Sequence, residues 1–281
     1  MPDATPGKKR WFRRIALVLV SLLSVGYVAI CVLMYQAQAE MIFHPTHEGA
    51  VMQSLRDDPA NESFDLEREG AELHGALVLA PGEAPAPLLI YFGGNAEAVG
   101  HKAETFAWLK EARAHLLFLP YRGYDGSTGA PGADELRADS LAAFDAAIAN
   151  PRVDATRVYA MGYSLGSGLA SHLAHQRQLA GVVLVAPFRR LGELAEGSYP
   201  WLPVAALLEH DFDTLGVAPE TDEKLLVVHG TDDTMIPIEH GRDVVSAWKG
   251  PAELLVLDGQ GHNGSSGDPR TQRAVRAFME L

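Results

Sequence analysis

The chain has 281 residues, room for one large domain or two small ones, and its 47% hydrophobic and 21% charged residues suit a globular protein with a sizeable core. Five of the 23 basic and two of the 36 acidic residues lie within residues 1–40, which leaves 18 against 34 and a net charge of −16 for the remainder. A domain that acidic repels phosphate backbones, which speaks against a nucleic-acid partner, and the single cysteine, Cys31, excludes an intrachain disulfide.

The N-terminus carries Lys8, Lys9, Arg10, Arg13 and Arg14, followed by 21 residues without a charge, Ile15 to Tyr35. At 1.5 Å per residue such a helix reaches about 30 Å, the thickness of a hydrocarbon core. Residues 1–14 are therefore expected to be a cytoplasmic N-terminus and 15–35 a transmembrane anchor or uncleaved signal. The basic cluster before the span leaves everything after it on the non-cytoplasmic side, periplasmic or extracellular in a bacterium. The stretch Ala37–Ala39, "AQA", has the form of a signal-peptide cleavage site. The apolar run is longer than the roughly 7–15 residues of a signal core, which favours the uncleaved anchor, and either reading exports the domain. A buried core helix is disfavoured because "KKR" and "RR" abut the run.

Residues 36–62 show no clear period and read as a connecting segment, with a single domain over 63–281. "SFDLERE" and "ELHGALVLA" suggest two strands joined at Gly70. "LLIYF" (88–92) is a continuous apolar run, as in a strand buried on both faces. "EAVGHKAETFAWLKEAR" reads as a helix, "HLLFLP" (115–120) as a strand and "GADELRADSLAAFDAAIAN" as a second helix. "RVYAMG", "GVVLVAP", "KLLVVHG" and "AELLVLDG" continue the strands, and a last helix starts with Asp268 as N-cap and Pro269 at its first position. The interruption at 188–222 has room for one or two short helices but not for a large lid. Alternating strands and helices imply an α/β fold with a mostly parallel sheet and helices on both faces.

Ligands of such sheets lie at the carboxyl ends of the strands. Four loops at that edge hold reactive residues: "GGNAE", "GYSLG", "HGTDDTMIP" and "DGQGHNG". Ser164 lies between Gly162 and Gly166 where a strand turns into a helix. The plain reading is a tight turn with a helix cap; the chemical one is a nucleophile pushed out of the turn. A serine hydroxyl needs an imidazole to take its proton, and the imidazole needs a carboxylate to fix its tautomer. The order Ser164, Asp232 or Asp233, His262 supplies all three. The developing oxyanion needs two donors, and the backbone N–H groups of Leu165 and Asn95 are in place for it.

With these motifs the chain resembles the α/β-hydrolase superfamily from about residue 64 to its end. "YRGYDGSTGAP" and "YPWLPV" narrow the resemblance to small, lidless, often membrane-anchored serine hydrolases of the serine aminopeptidase-like and depalmitoylase-like group. That group usually shows His-Gly-Asn-Ala in the first loop; here Gly93 stands in place of its histidine. It also sets the acid four residues after the histidine of "HG", which implies Asp233 and leaves Asp232 as a turn residue whose carboxylate accepts local backbone N–H groups.

The expectation is a serine hydrolase, most readily a carboxylesterase or thioesterase with peptidase open, cleaving an ester, thioester or amide of a small or acylated substrate. The alternative is a catalytically silent, membrane-tethered binding module on the same fold. No cofactor or metal is implied: the pairs His44/His47 and His172/His175 lack further ligands and read as exposed. Arg122 is expected to hold its loop. The acyl pocket is expected from 188–222 and the loop after "HLLFLP", with Tyr199, Trp201 and Leu202 lining its entrance or packing on the sheet.

Overall fold

The computed structural model describes residues 6–281; residues 1–5 of the expected cytoplasmic N-terminus lie outside the described residues. A single helix, α1, runs from Pro6 to Ile42 and contains the whole apolar run. Its side chains between Trp11 and Leu33 are mostly exposed, and length and composition make it a candidate transmembrane helix. The connecting segment carries a helix that showed no period in the sequence, α2 (Gly49–Asp57). Met52 is its one buried residue, so no repeating apolar pattern marks it.

The hairpin β1 (Asn61–Arg68) and β2 (Ala71–Val78) turns at Gly70. β3 (Ala86–Phe92) follows, then two single turns, α3 (Lys102–Thr105) and α4 (Trp108–Glu111), where one helix was expected. Bonds of the i→i+3 type, such as Leu109 N–H to the Phe106 carbonyl, interrupt it. Phe106 and Leu109 are both buried, and the tighter turn keeps two residues three apart on one face. β4 (His115–Phe118), α5 (Ala133–Ile148), β5 (Val153–Tyr163), α6 (Leu165–Gln176) and β6 (Gly181–Val185) come next. The 188–222 region forms three short helices: α7 (Leu191–Ser198), α8 (Val204–Leu207) and α9 (Thr214–Val217). β7 (Leu225–Gly230), α10 (Ile238–Ala247), β8 (Ala252–Leu257) and α11 (Pro269–Phe278) complete the chain. Asp268 caps α11 through the Arg270 amide at 2.7 Å.

The eight strands lie in the order β1-β2-β4-β3-β5-β6-β7-β8, antiparallel at β1-β2-β4 and parallel elsewhere. The pleat of β3 divides the core. Leu88, Ile90 and Phe92 face α5, α6 and α10, whereas Leu89 and Tyr91 face Met52, Phe106, Leu109 and Val275. Because β3, β5, β6, β7 and β8 are parallel, their carboxyl ends share one edge.

Candidate active site

The turn from β5 into α6 is tightly packed. A Cβ at Gly162 would lie 2.2 Å from the Gly166 carbonyl oxygen, and one at Gly166 would lie 2.1 Å from that of Phe92. Both positions therefore admit only glycine. Ser164 between them has φ 50° and ψ −114°. A non-glycine residue held there costs roughly 1–3 kcal/mol, which the surrounding structure must offset. Its amide donates to the Val185 carbonyl at 3.0 Å, and its carbonyl accepts the amide and the hydroxyl of Ser167 at 2.9 and 2.6 Å.

Three predicted residues from the ends of three strands meet here. His262 Nε2 lies 3.0 Å from Ser164 Oγ, and its Nδ1 lies 2.7 Å from Asp233 Oδ2. With Nδ1–H donating to the carboxylate, Nε2 is left free to accept the serine hydroxyl. Tyr163 steadies His262 from the side, its ring 5.3 Å away and its hydroxyl donating to the His262 carbonyl at 3.2 Å. Burial raises the Tyr163 phenol, so it stays a neutral donor.

The acid loop corrects one expectation. Asp232 is exposed, and among the described residues its carboxylate accepts only the Thr231 hydroxyl, at 2.9 Å. The turn amides belong to Asp233, whose Oδ1 accepts from Met235 and Ile236 at 3.0 and 2.8 Å. One carboxylate does both jobs because its two oxygens point in different directions. Burial alone would raise the Asp233 carboxyl; His229, the hydrogen bond from His262 and the Ile236 amide outweigh it and hold it well below the usual range. His229 Nε2 donates to the Ile236 carbonyl at 2.8 Å and also lies 3.6 Å from Asp233 Oδ2.

The loop after β3 carries the other predicted donor. Among the described residues no protein acceptor engages the backbone N–H of Asn95 or of Leu165. Gly93 is held without a histidine: its carbonyl accepts the Tyr121 hydroxyl at 2.7 Å. Glu97 was not singled out from the sequence, yet its Oε2 accepts the Gly94 amide at 2.9 Å and the Tyr91 hydroxyl at 2.8 Å. Lys102 pairs with its other oxygen at 2.8 Å. The Asn95 side chain is also structural. Its Oδ1 accepts the His44 amide at 2.9 Å and the Tyr124 hydroxyl at 3.0 Å, and its Nδ2 donates to the Ile42 carbonyl at 2.5 Å. A carboxylate three residues after a Gly-Gly pair was the available sequence clue for Glu97; nothing local pointed to Ile42.

A cavity of about 420 Å³ opens beside Ser164 and is lined mainly by apolar side chains, among them Phe188, Leu191, Leu194, Leu202, Val204 and Leu207. The 188–222 region contributes as expected, Tyr199 and Leu202 included. The loop after β4 contributes none of the lining residues, because Arg122 ties it to Asp139 at 2.6 Å and to the Glu69 carbonyl at 2.8 Å. Its place is taken by α1. Among the described residues no group of three or more metal-ligating side chains forms. His172 and His175 are half-buried rather than exposed, and burial, then Arg137, draws His172 down to about 4.

A family model described as "Serine aminopeptidase, S33" matches residues 83–224, and a second, "TAP-like protein", matches 208–280. The chain is 29% identical to the uncharacterized protein Rv2307c of Mycobacterium tuberculosis over 88% of each chain. It is 30% identical to human protein ABHD12B over 69% of this chain and 60% of that one. With the lysophosphatidylserine lipase ABHD12 of Bos taurus it shares 29% over 56% of this chain and 44% of the relative. The acetyl xylan esterase of Paenibacillus sp. R4 superposes with a TM-score of 0.65 at 18% identity, covering 87% of this chain and 98% of that one, a likeness of fold.

Proposed function

The chain belongs to the α/β-hydrolase superfamily and is a hydrolase by its relatives, and from that premise we propose that it is a membrane-anchored serine hydrolase working through an acyl-enzyme. The observation that carries the reading is His262 set between Ser164 Oγ and Asp233 Oδ2 at 3.0 and 2.7 Å. Ser164 attacks the carbonyl carbon as His262 Nε2 takes the hydroxyl proton, and Asp233 stabilises the resulting imidazolium. The backbone N–H groups of Asn95 and Leu165 receive the oxyanion. His262 then returns the proton to the leaving group, the carbonyl–heteroatom bond breaks, and the acyl group stays on Ser164. A water attacks the acyl-enzyme with His262 as base, releasing the acid and restoring the serine.

The apolar lining favours an acyl chain as the group bound. Together with the single-chain lipid named in one relative, it supports an ester bearing one long acyl chain ahead of a peptide. Residues 15–35 form the anchor, the N-terminus is cytoplasmic, and the domain over 63–281 lies on the other side. An uncut chain is supported by Gln38, which lies in the middle of "AQA" yet is buried against the domain.

A fluorophosphonate probe on the detergent-solubilised full chain tests the reading. Labelling at Ser164, lost in Ser164→Ala along with p-nitrophenyl butyrate hydrolysis, is the expected result. A folded protein that hydrolyses the ester but never labels at Ser164 would sink it, and one that does neither would favour the silent binding module.

A further inference from the structure

The pocket has a wall that does not belong to the sheet. Met34, Tyr35, Gln38, Met41 and Ile42 of α1 line it together with Ser164. Positions 34, 38, 41 and 42 recur at helical spacing, so they form one stripe of α1. Polar contacts fasten that stripe to the 199–209 region. The buried Gln38 donates to the Leu207 carbonyl at 3.3 Å and accepts the Glu209 amide at 2.8 Å. The Tyr35 hydroxyl donates to the Glu209 carboxylate at 2.5 Å. Nearer the N-terminus, the Tyr27 hydroxyl donates to the Trp201 carbonyl at 3.0 Å.

That last contact sets a depth. Tyr27 lies twelve residues beyond Ile15, about 18 Å along a helix. A hydrocarbon core is about 30 Å thick, so a span that starts at Ile15 has not left it at Tyr27. Arg13 and Arg14 prevent the span from being extended the other way. The Trp201 carbonyl therefore lies at membrane depth, where a backbone acceptor needs a partner within the protein. The Tyr27 hydroxyl is that partner. The neighbouring sequence suits the location: "YPWLPVAALL", Tyr199 to Leu208, has ten residues and no charge. Trp201 is 52% exposed, and Met235, which lines the pocket beside Ile236, is 63% exposed. Large apolar side chains are thus left open on the side of the domain that faces the anchor.

We propose that the pocket opens within the bilayer: the Tyr199–Leu208 segment is immersed in the leaflet beside α1, and the acyl chain of a membrane-resident, single-chain ester enters along the Met34–Ile42 stripe without passing through water. The proposal rests on the serine-hydrolase reading and adds the route of the substrate to it. It makes the anchor a part of the binding site rather than a tether.

The experiment uses the full chain reconstituted in phosphatidylcholine vesicles, with monooleoylglycerol as substrate and p-nitrophenyl butyrate as the water-soluble control. Substrate is supplied either in the vesicles that hold the enzyme or in separate ones at the same total amount. At least a tenfold faster turnover in shared vesicles is expected, and equal rates would overturn lateral entry. Immersion has its own readout. Lipids brominated on the acyl chain should quench a tryptophan component that is absent in Trp201→Phe, and full emission from Trp201 in such lipids would overturn it. Trp201→Glu should lower the ratio of monooleoylglycerol to p-nitrophenyl butyrate turnover about tenfold, and an unchanged ratio counts against the proposal. If Trp201 is quenched while neither p-nitrophenyl butyrate hydrolysis nor fluorophosphonate labelling occurs, immersion is supported and the hydrolase reading is what fails.

Discussion

In the loop after β7, Asp233 Oδ1 accepts the amides of Met235 and Ile236 while Oδ2 faces His262; in the loop after β3, Glu97 Oε2 accepts the Gly94 amide and the Tyr91 hydroxyl. The two carboxylates use the same local device, an acid capping the backbone a few residues away. They differ in what else holds the loop. The acid loop is fastened within the domain, through His229 and the Gln260 carbonyl that accepts the Asp232 amide at 3.0 Å. The β3 loop is fastened through Asn95 to Ile42 and His44, at the end of α1. In the proposed mechanism, then, proton transfer rests on the sheet edge alone, whereas the proposed oxyanion donor also rests on the end of α1.

The strongest way to break this division is at Asp233. Asp233→Asn keeps an oxygen for the two turn amides but no longer fixes the His262 tautomer. A loss of about 10⁴-fold in kcat on p-nitrophenyl butyrate is expected, with the fold intact by circular dichroism. A loss under tenfold would remove Asp233 from the proposed relay. The same carboxyl carries a pH signature. Its pKa is depressed on folding below the ordinary aspartate value of about 3.9, so it contributes stability above about pH 4, and that contribution is lost as pH falls further. Urea melts of wild type and Asp233→Asn should differ most at neutral pH and converge below about pH 4. A gap that widens on acidification would show that the sign is wrong.

Asn95→Ala tests the other loop. The backbone donor remains, but its ties to Ile42, His44 and Tyr124 go. Misplacing a reacting group by about 1 Å costs on the order of 100-fold, so kcat should fall by up to that factor with KM nearly unchanged. His44→Ala removes one ring contact to Asn95 Nδ2 and leaves the His44 amide bond, so it should cost several-fold less. If Asn95→Ala retains wild-type kcat, the anchor does not position the oxyanion loop.

The contrast between the loops also marks what the sequence could reveal. The inner strands were legible because each is a short apolar run with glycine or proline nearby, as in β3, β6 and β7. Ser164, His262 and the Asp232–Asp233 pair stood out because each follows such a run, and the parallel sheet turns strand ends into neighbours; only the resemblance singled out Asp233 of the two. Gly162 and Gly166 announced the close approach of backbones that the structure requires. The structural role of the Asn95 side chain was hidden because two of its partners, Ile42 and His44, lie some fifty residues earlier, in or beside a segment without a period. The α1 wall of the pocket was hidden for a related reason: a stripe at helical spacing inside a uniformly apolar run has no polar background to stand against. The break between α3 and α4, at i→i+3 bonds around the buried Phe106 and Leu109, has no glycine or proline to mark it in the sequence.

The smallest effect expected is at Asp232, and it sharpens the comparison because it sits one residue from the largest. Asp232 is exposed, and its carboxylate accepts the Thr231 hydroxyl at 2.9 Å. Its backbone amide, not its side chain, ties the loop to Gln260. Asp232→Asn keeps that amide and an oxygen for Thr231. A surface change of this kind stays within about 0.5 kcal/mol, which is roughly twofold in any rate it affects. Kinetics of Asp232→Asn and Asp233→Asn on one ester should therefore differ by at least a thousandfold, given a loss of about 10⁴ at Asp233. Comparable losses at both positions would mean that the negative charge of the loop as a whole supports His262. The direct contact at 2.7 Å would then no longer account for the tautomer control assigned to it.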